Sequence, residues 1–186
     1  GSDKPDLRFG MAMQDFAPYV EASGFQAFKD ALAAGGKVKA LVVPGKADYS
    51  RKQIEELEAQ ARIYKAKGMA WMKVGQAADG SGAALEGGAS KFFAGNAAAV
   101  ISGLGAKPGD LILMIADAKA KVACVSLGAV RSKLGRDLGL LDPKVFKFAW
   151  IVDFPMFEYN EDEQRWEAAH HMFTMPQEKY HDTLES

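Results

Sequence analysis

From Ser50 to Gly68 the apolar residues Ile54, Leu57, Ala61 and Tyr64 recur at helical spacing, which predicts a helix with one buried face. Ser50 is a good N-cap, Gln53 three residues on completes a capping box, and Gly68 supplies a stop. Before this helix, Gly35-Gly36 makes a turn into a β-branched run, Val38 to Val43, that reads as a strand. After it, Met69–Val74 reads as a buried strand, and "AKPGDLILMIAD" reads as a turn followed by a strand from Leu111 to Ala116. Weaker signals predict a brief helix around Asp15–Val20 and a short strand over Phe25–Phe28. The stretch from Gly75 to Ser90 is rich in Gly, Ala and Ser and has no period, so it is expected to be a mobile loop. Ser90 to about Gly105 reads as helical. A long helix is predicted from Asp117, as cap, to Leu138, with Val122, Val125, Ala129, Leu134 and Leu138 on or near its inner face. Gly139 and Asp142-Pro143 end it. Strands and helices thus alternate over residues 25–138, which predicts a sheet covered by helices on one face.

From Phe146 the pattern changes. "FKFAWIVDFPMF" and "QRWEAAHHMF" read as two long strands joined at "EYNEDE". A lone hairpin is marginal in water, so this tail is expected to belong to a sheet that continues elsewhere.

Composition narrows the class. With 186 residues, 48% hydrophobic and 25% charged, the chain reads as a soluble globular protein with a core large enough to need no staples. It has no run of about 18 apolar residues to span a membrane and no secretory leader. Its single cysteine, Cys124, forms no internal disulfide and excludes a multi-cysteine zinc site, which fits a cytoplasmic location. The formal net charge of −1 argues against a strong nucleic-acid footprint. The distribution is uneven, however. Residues 151–186 hold nine acids and two bases, or −7, so residues 1–150 hold 21 bases and 15 acids, or +6.

Three features invite a chemical reading. His170 and His171 are adjacent, and in a strand adjacent side chains point to opposite faces, so both cannot easily serve one metal or one substrate. Zinc would also need a third and fourth ligand. One histidine facing a polar cavity with its neighbour packed behind it is the more economical arrangement, and a purely structural pair is the other. The glycines of "ADGSGAALEGGAS" lack the lysine and helix context of a phosphate loop, and "GLGAKPG" precedes a strand where a dinucleotide site would follow one. Lys119, Lys121, Arg131, Lys133 and Arg136 share one helix and are expected to form a solvated face.

Longer strings carry a resemblance. "GSDKPDLRFGM", "SRKQIEELEAQARIYKAKGMAWMKV", "KLGRDLGLLD" and "WIVDFPMFE…AAHHMFTMP" resemble, in that order, bacterial aspartyl-tRNA synthetases, and the match runs over essentially the whole chain. In that family the corresponding segment lies between two signature motifs of the class II catalytic core, and most of it is an inserted GAD domain. The resemblance implies an α+β chain: a connector from the core over residues 1–12, a two-layer α/β insertion domain over 13–142, and an incomplete return into the core's antiparallel sheet over 143–186.

It further implies an enzyme that condenses aspartate with ATP, with Mg2+, and passes the aspartyl group to tRNA(Asp). The first histidine of the "HHxFT" string contacts the amino acid in the family, and this carries over to His170. His171 would face away and support the strand. Met172 and Met175 stand where the common form has a proline and a small residue. The arginines that hold ATP lie outside these residues, so the segment alone is expected to be inactive and to bind neither ATP nor Mg2+. The full enzyme is expected to be a cytoplasmic homodimer with no membrane contact, and the segment a monomer. Two alternatives compete: a stand-alone tRNA-binding module related to the GAD domain of the glutamyl-tRNA amidotransferase B subunit, and an unrelated metal-binding α/β protein.

Overall fold

A computed structural model describes residues 5–77, 82–152, 155–160 and 163–169. The chain divides after Lys147 into two compact units. The first is built on a five-stranded, wholly antiparallel sheet of order β1-β2-β5-β3-β4. Its strands are β1 (Gln14–Asp15), β2 (Lys37–Val43), β3 (Ala70–Gln76), β4 (Ala83–Glu86) and β5 (Leu111–Asp117). Its helices are α1 (Ala17–Val20), α2 (Gln26–Ala33), α3 (Arg51–Ile63), α4 (Ala97–Leu104), preceded by a 3₁₀ turn over Ser90–Asn96, and α5 (Ala120–Asp137).

β5 is the central strand. It pairs with β2 from Lys37↔Asp117 to Val43↔Leu111, and with β3 from Ala70↔Met114 to Lys73↔Leu111. Because neighbouring side chains point to opposite faces, its unbroken apolar run feeds two cores. Ile112 and Met114 join Val38, Ala40, Met72 and Val74 beneath α1, α2 and α4. Leu111, Leu113 and Ile115 join Leu41 and Val43 beneath α3 and α5. The helices therefore lie on both faces of the sheet, where one face was expected. A continuous apolar strand is the signature of two-sided burial, and "LILMI" carried that signal.

The capping box of α3 forms as the sequence predicts. Gln53 N donates to Ser50 Oγ at 3.3 Å, and Ser50 N donates to Gln53 Oε1 at 2.9 Å. Ile54, Leu57 and Ala61 are buried. The helix ends sooner than expected, with Lys65 in the left-handed region at φ 73° before Gly68 is reached.

Other expectations are corrected. Phe25–Phe28 is the start of α2, not a strand: Phe25, Phe28 and Leu32 lie three and four residues apart and pack on one face of the core. Within Gly75–Ser90, residues Ala83–Glu86 form β4 and close a hairpin with β3. "AALE" has little intrinsic strand preference, so that pairing is imposed by the neighbouring strand. Asp117 ends β5, and α5 begins at Ala120; the Asp117 carboxylate accepts from Lys119 N at 2.8 Å. The buried face of α5 is Ala123, Leu127, Val130 and Leu134, about one position off the predicted stripe.

Among the described residues of the second unit, β6 (Phe157–Asn160) and β7 (Arg165–Ala168) are the strands, paired antiparallel from Phe157↔Ala168 to Asn160↔Arg165. Tyr159 and Trp166 meet edge to face, 5.5 Å between ring centroids. The long first strand expected from Phe146 is absent over 146–152, where Phe148 and Trp150 are 96% and 95% exposed. A strand's N–H and C=O groups need partners; no strand pairs with this run among the described residues, and Pro155 beyond it has no N–H to give.

Candidate functional site

The described residues converge most strongly where residues 5–13 cross α5. This strap has no regular structure, and Met11 takes a left-handed backbone at φ 57°. Arg131, from the middle of α5, gathers the strap's carbonyl groups. Its Nε donates to Met11 O at 2.7 Å, and one terminal nitrogen donates to the carbonyls of Asp6, Gly10 and Phe9 at 2.8, 2.9 and 3.0 Å. A guanidinium is a fork of donors with no acceptor, suited to this multiple capture. Its carbon also lies 4.1 Å from the centre of the Phe9 ring. Burial pushes the Arg131 pKa down, while the nearby Asp6 charge opposes that shift.

The strap is folded on itself as well. Asp6 and Arg8 form a two-point pair, with contacts of 3.0 and 2.7 Å. The Arg8 hydrogen bond is the largest cause holding the Asp6 carboxyl down at about 2, and Asp6 raises Arg8 in return. Phe9 occupies the space over Gly135. A Cβ there would lie 2.5 Å from the Phe9 ring, so position 135 admits no side chain while Phe9 stays in place.

Between the strap and the α3–α5 pair lies a cavity of about 400 Å³, lined among others by Asp6, Met13, Tyr64, Cys124 and Gly128. A second groove, of about 690 Å³, runs between α2 and the end of β5. Among the described residues Asp6 is pushed down by its bond from Arg8, Tyr49 is pushed up by burial, and Arg8 and Arg131 stay charged. Among the described residues no three His, Cys, Asp or Glu side chains are arranged to hold a metal. The arrangement joins distant chain segments.

His170 and His171 lie outside the described residues. The hairpin leading to them is described: Ala169 N donates to Met156 O at 2.9 Å, one residue beyond the β6–β7 pairing, and Arg165 pairs with Glu163 and Glu167 at 2.5 and 2.9 Å. Of the basic residues assigned to a solvated face of α5, Lys133 fits that role, paired with Asp137 at 2.7 Å, and Arg136 is exposed. Arg131 does not. The available signal was Gly135, one turn on: an interior helical glycine weakens a helix, and here it marks a close approach.

Comparison with known proteins adds three findings. A GAD domain family model matches residues 28–127. The aspartate–tRNA(Asp/Asn) ligase of Treponema denticola is 64% identical over 186 residues, covering 100% of this chain and 31% of its own length. The aspartate–tRNA ligase of Exiguobacterium sibiricum is 48% identical over 188 residues, and the aspartate–tRNA(Asp/Asn) ligase of Moorella thermoacetica is 43% identical over 187. Each covers 100% of the chain, which spans 31% and 30% of their respective lengths.

Proposed function

The chain belongs to the GAD domain family, and from that premise we propose that it is a segment of a bacterial aspartate–tRNA ligase. One observation carries the reading. The GAD model ends at residue 127, yet the ligase relatives match the whole chain, tail included. A stand-alone tRNA-binding module would have no need of the acidic hairpin, so the full-length match favours the ligase.

In this reading residues 1–12 connect from the catalytic core, 13–142 form the inserted domain, and 143–186 return to the core. The support for a separate return segment is the division of the chain after Lys147. The complete enzyme is a cytoplasmic homodimer. No helix of the described residues is long and apolar enough to cross a membrane. It joins the aspartate carboxylate to the α-phosphate of ATP, releasing pyrophosphate, and then transfers the aspartyl group to tRNA(Asp), releasing AMP. ATP and Mg2+ are assigned to segments of the enzyme beyond the matched span, where the family's ATP-holding arginines lie. His170 is assigned to the bound aspartate, where an imidazole can hydrogen-bond a carboxylate, and His171 to support behind it. The support for both is the "HHMFT" string and a β ladder that extends to Ala169.

The test is aspartate-dependent ATP–pyrophosphate exchange. The complete polypeptide should catalyse it and this 186-residue chain should not; exchange by the chain alone at the complete enzyme's rate would refute the proposal. In the complete enzyme, His170→Ala should raise the KM for aspartate about tenfold, the value of one charge-assisted hydrogen bond. Unchanged aspartate kinetics would remove the role given to His170.

A further inference from the structure

Both connections of the five-stranded unit run through the C-terminal half of α5. The incoming strap is held by Arg131, as described. The outgoing chain is held one turn later: Leu140 N donates to Gly135 O at 2.9 Å, and Gly139 N donates to Arg136 O at 3.0 Å. Gly135 thus serves both connectors. The space above its Cα admits Phe9 of the strap, and its carbonyl accepts from the outgoing chain. Arg8 of the strap also feels the charge of Asp142 on the outgoing side.

The described polar contacts of the strap are concentrated in one side chain. Among the described residues, Arg131 is the one hydrogen-bonding link between residues 6–11 and the rest of the unit. The cavity of about 400 Å³ beneath Asp6 and Met13 means that packing is incomplete there. Phe9 over Gly135 and Met11 against the α3–α5 core add apolar contact, and the Arg131 side chain supplies the polar hold.

We infer that Arg131 and Gly135 gather the incoming and outgoing connectors into a single stem on the C-terminal half of α5, and that Arg131 is thereby a positioning residue that fixes the spacing of those two connectors. The stem stands on the geometry of the unit itself. Its bearing on catalysis rests on the ligase reading above. Lysine keeps the charge but lacks the Nε that donates to Met11 O and the flat guanidinium that lies over the Phe9 ring, so it is not equivalent here.

The experiment uses the complete polypeptide. Trypsin cleavage after Arg8 should be slow in the wild type. Arg131→Gln and Arg131→Lys should each speed it about tenfold or more, since local opening is all that the cut requires. Both should lower kcat for tRNA charging several-fold while leaving the KM for aspartate unchanged, with kcat normalised to active sites titrated by the aspartyl-adenylate burst so that loss of folded enzyme does not count. If Arg131→Gln does not fold, Gly135→Ala carries the test, because it keeps the arginine and displaces Phe9. Cleavage at the wild-type rate in these variants would overturn the stem, as would Arg131→Lys behaving like wild type. Fast cleavage with unchanged kcat would overturn the positioning role. A wild-type polypeptide that charges no tRNA with aspartate would strike at the ligase reading alone, since cleavage is read without substrate.

Discussion

Replacing Gly36 by alanine is expected to destabilise the five-stranded unit by about 4 kcal/mol or more, lowering its thermal midpoint by roughly 10 °C or more. Gly35 and Gly36 close α2 in a Schellman motif: Gly36 N donates to Ala31 O and Gly35 N to Leu32 O, both at 2.9 Å. Gly35 supplies the left-handed turn at φ 79°, and nothing crowds it. Gly36 faces a different constraint. A Cβ there would lie 2.0 Å from the carbonyl oxygen of Asp117, 2.5 Å from Cα of Ala118 and 2.8 Å from the carbonyl oxygen of Ala31. All three are backbone atoms, so no rotamer change can relieve the overlap. Either β2 must part from the end of β5, starting with the Lys37↔Asp117 pair, or the chain leading into α5 must move. Gly35→Ala is the control. It meets only the left-handed penalty, about 1 kcal/mol. Thermal unfolding of the two variants checks the claim, and equal losses would show that the close approach at Gly36 does not govern stability.

That contrast shows why parts of the fold were legible in the sequence and others were not. Elements specified by local chemistry were readable. Ser50 and Gln53 cap α3 through bonds that span three residues, and the apolar run of β5 announces a buried strand. Elements specified by distant partners were not. "AALE" becomes β4 only because β3 presents an open edge to it. Phe25 and Phe28 suit a strand by propensity, and the helix wins because Phe25 stacks on Phe92 at 4.8 Å and Phe28 reaches the Phe16 ring at 6.2 Å. Arg131 looked like one more solvated cation, because its four acceptors are backbone carbonyls more than a hundred residues away, and carbonyl groups leave no mark in a residue pattern. The family strings, by contrast, were legible because they are long and irregular. They drew attention to His170, which periodicity alone could not separate from a structural histidine.

Truncating Phe93 to alanine should cost about 3–5 kcal/mol, the range for an aromatic ring removed from a sealed core. Phe93 is 0% exposed and sits at the centre of an aromatic cluster. Its ring centroid lies 5.3 Å from that of Phe16, 6.3 Å from Phe25 and 6.4 Å from Phe28, with the first two contacts edge to face. These partners come from three parts of the chain: the residue before α1, the N-cap of α2 and the body of α2. Phe93 itself belongs to the 3₁₀ turn before α4. The ring is thus what fastens the helices of one layer to each other and to Met72 and Met114 below. The opposite layer, with α3, α5 and Arg131, packs on the other face of the sheet. Local loosening should therefore be uneven. Hydrogen exchange in Phe93→Ala should accelerate first in α1, α2 and the Ser90–Leu104 segment, while the amides of α5 keep their protection until global unfolding. If α5 loses protection in step with α2 well below the unfolding midpoint, the two layers form one cooperative unit. The arm of α5 that grips the strap would then depend on the aromatic cluster, against the separation drawn here.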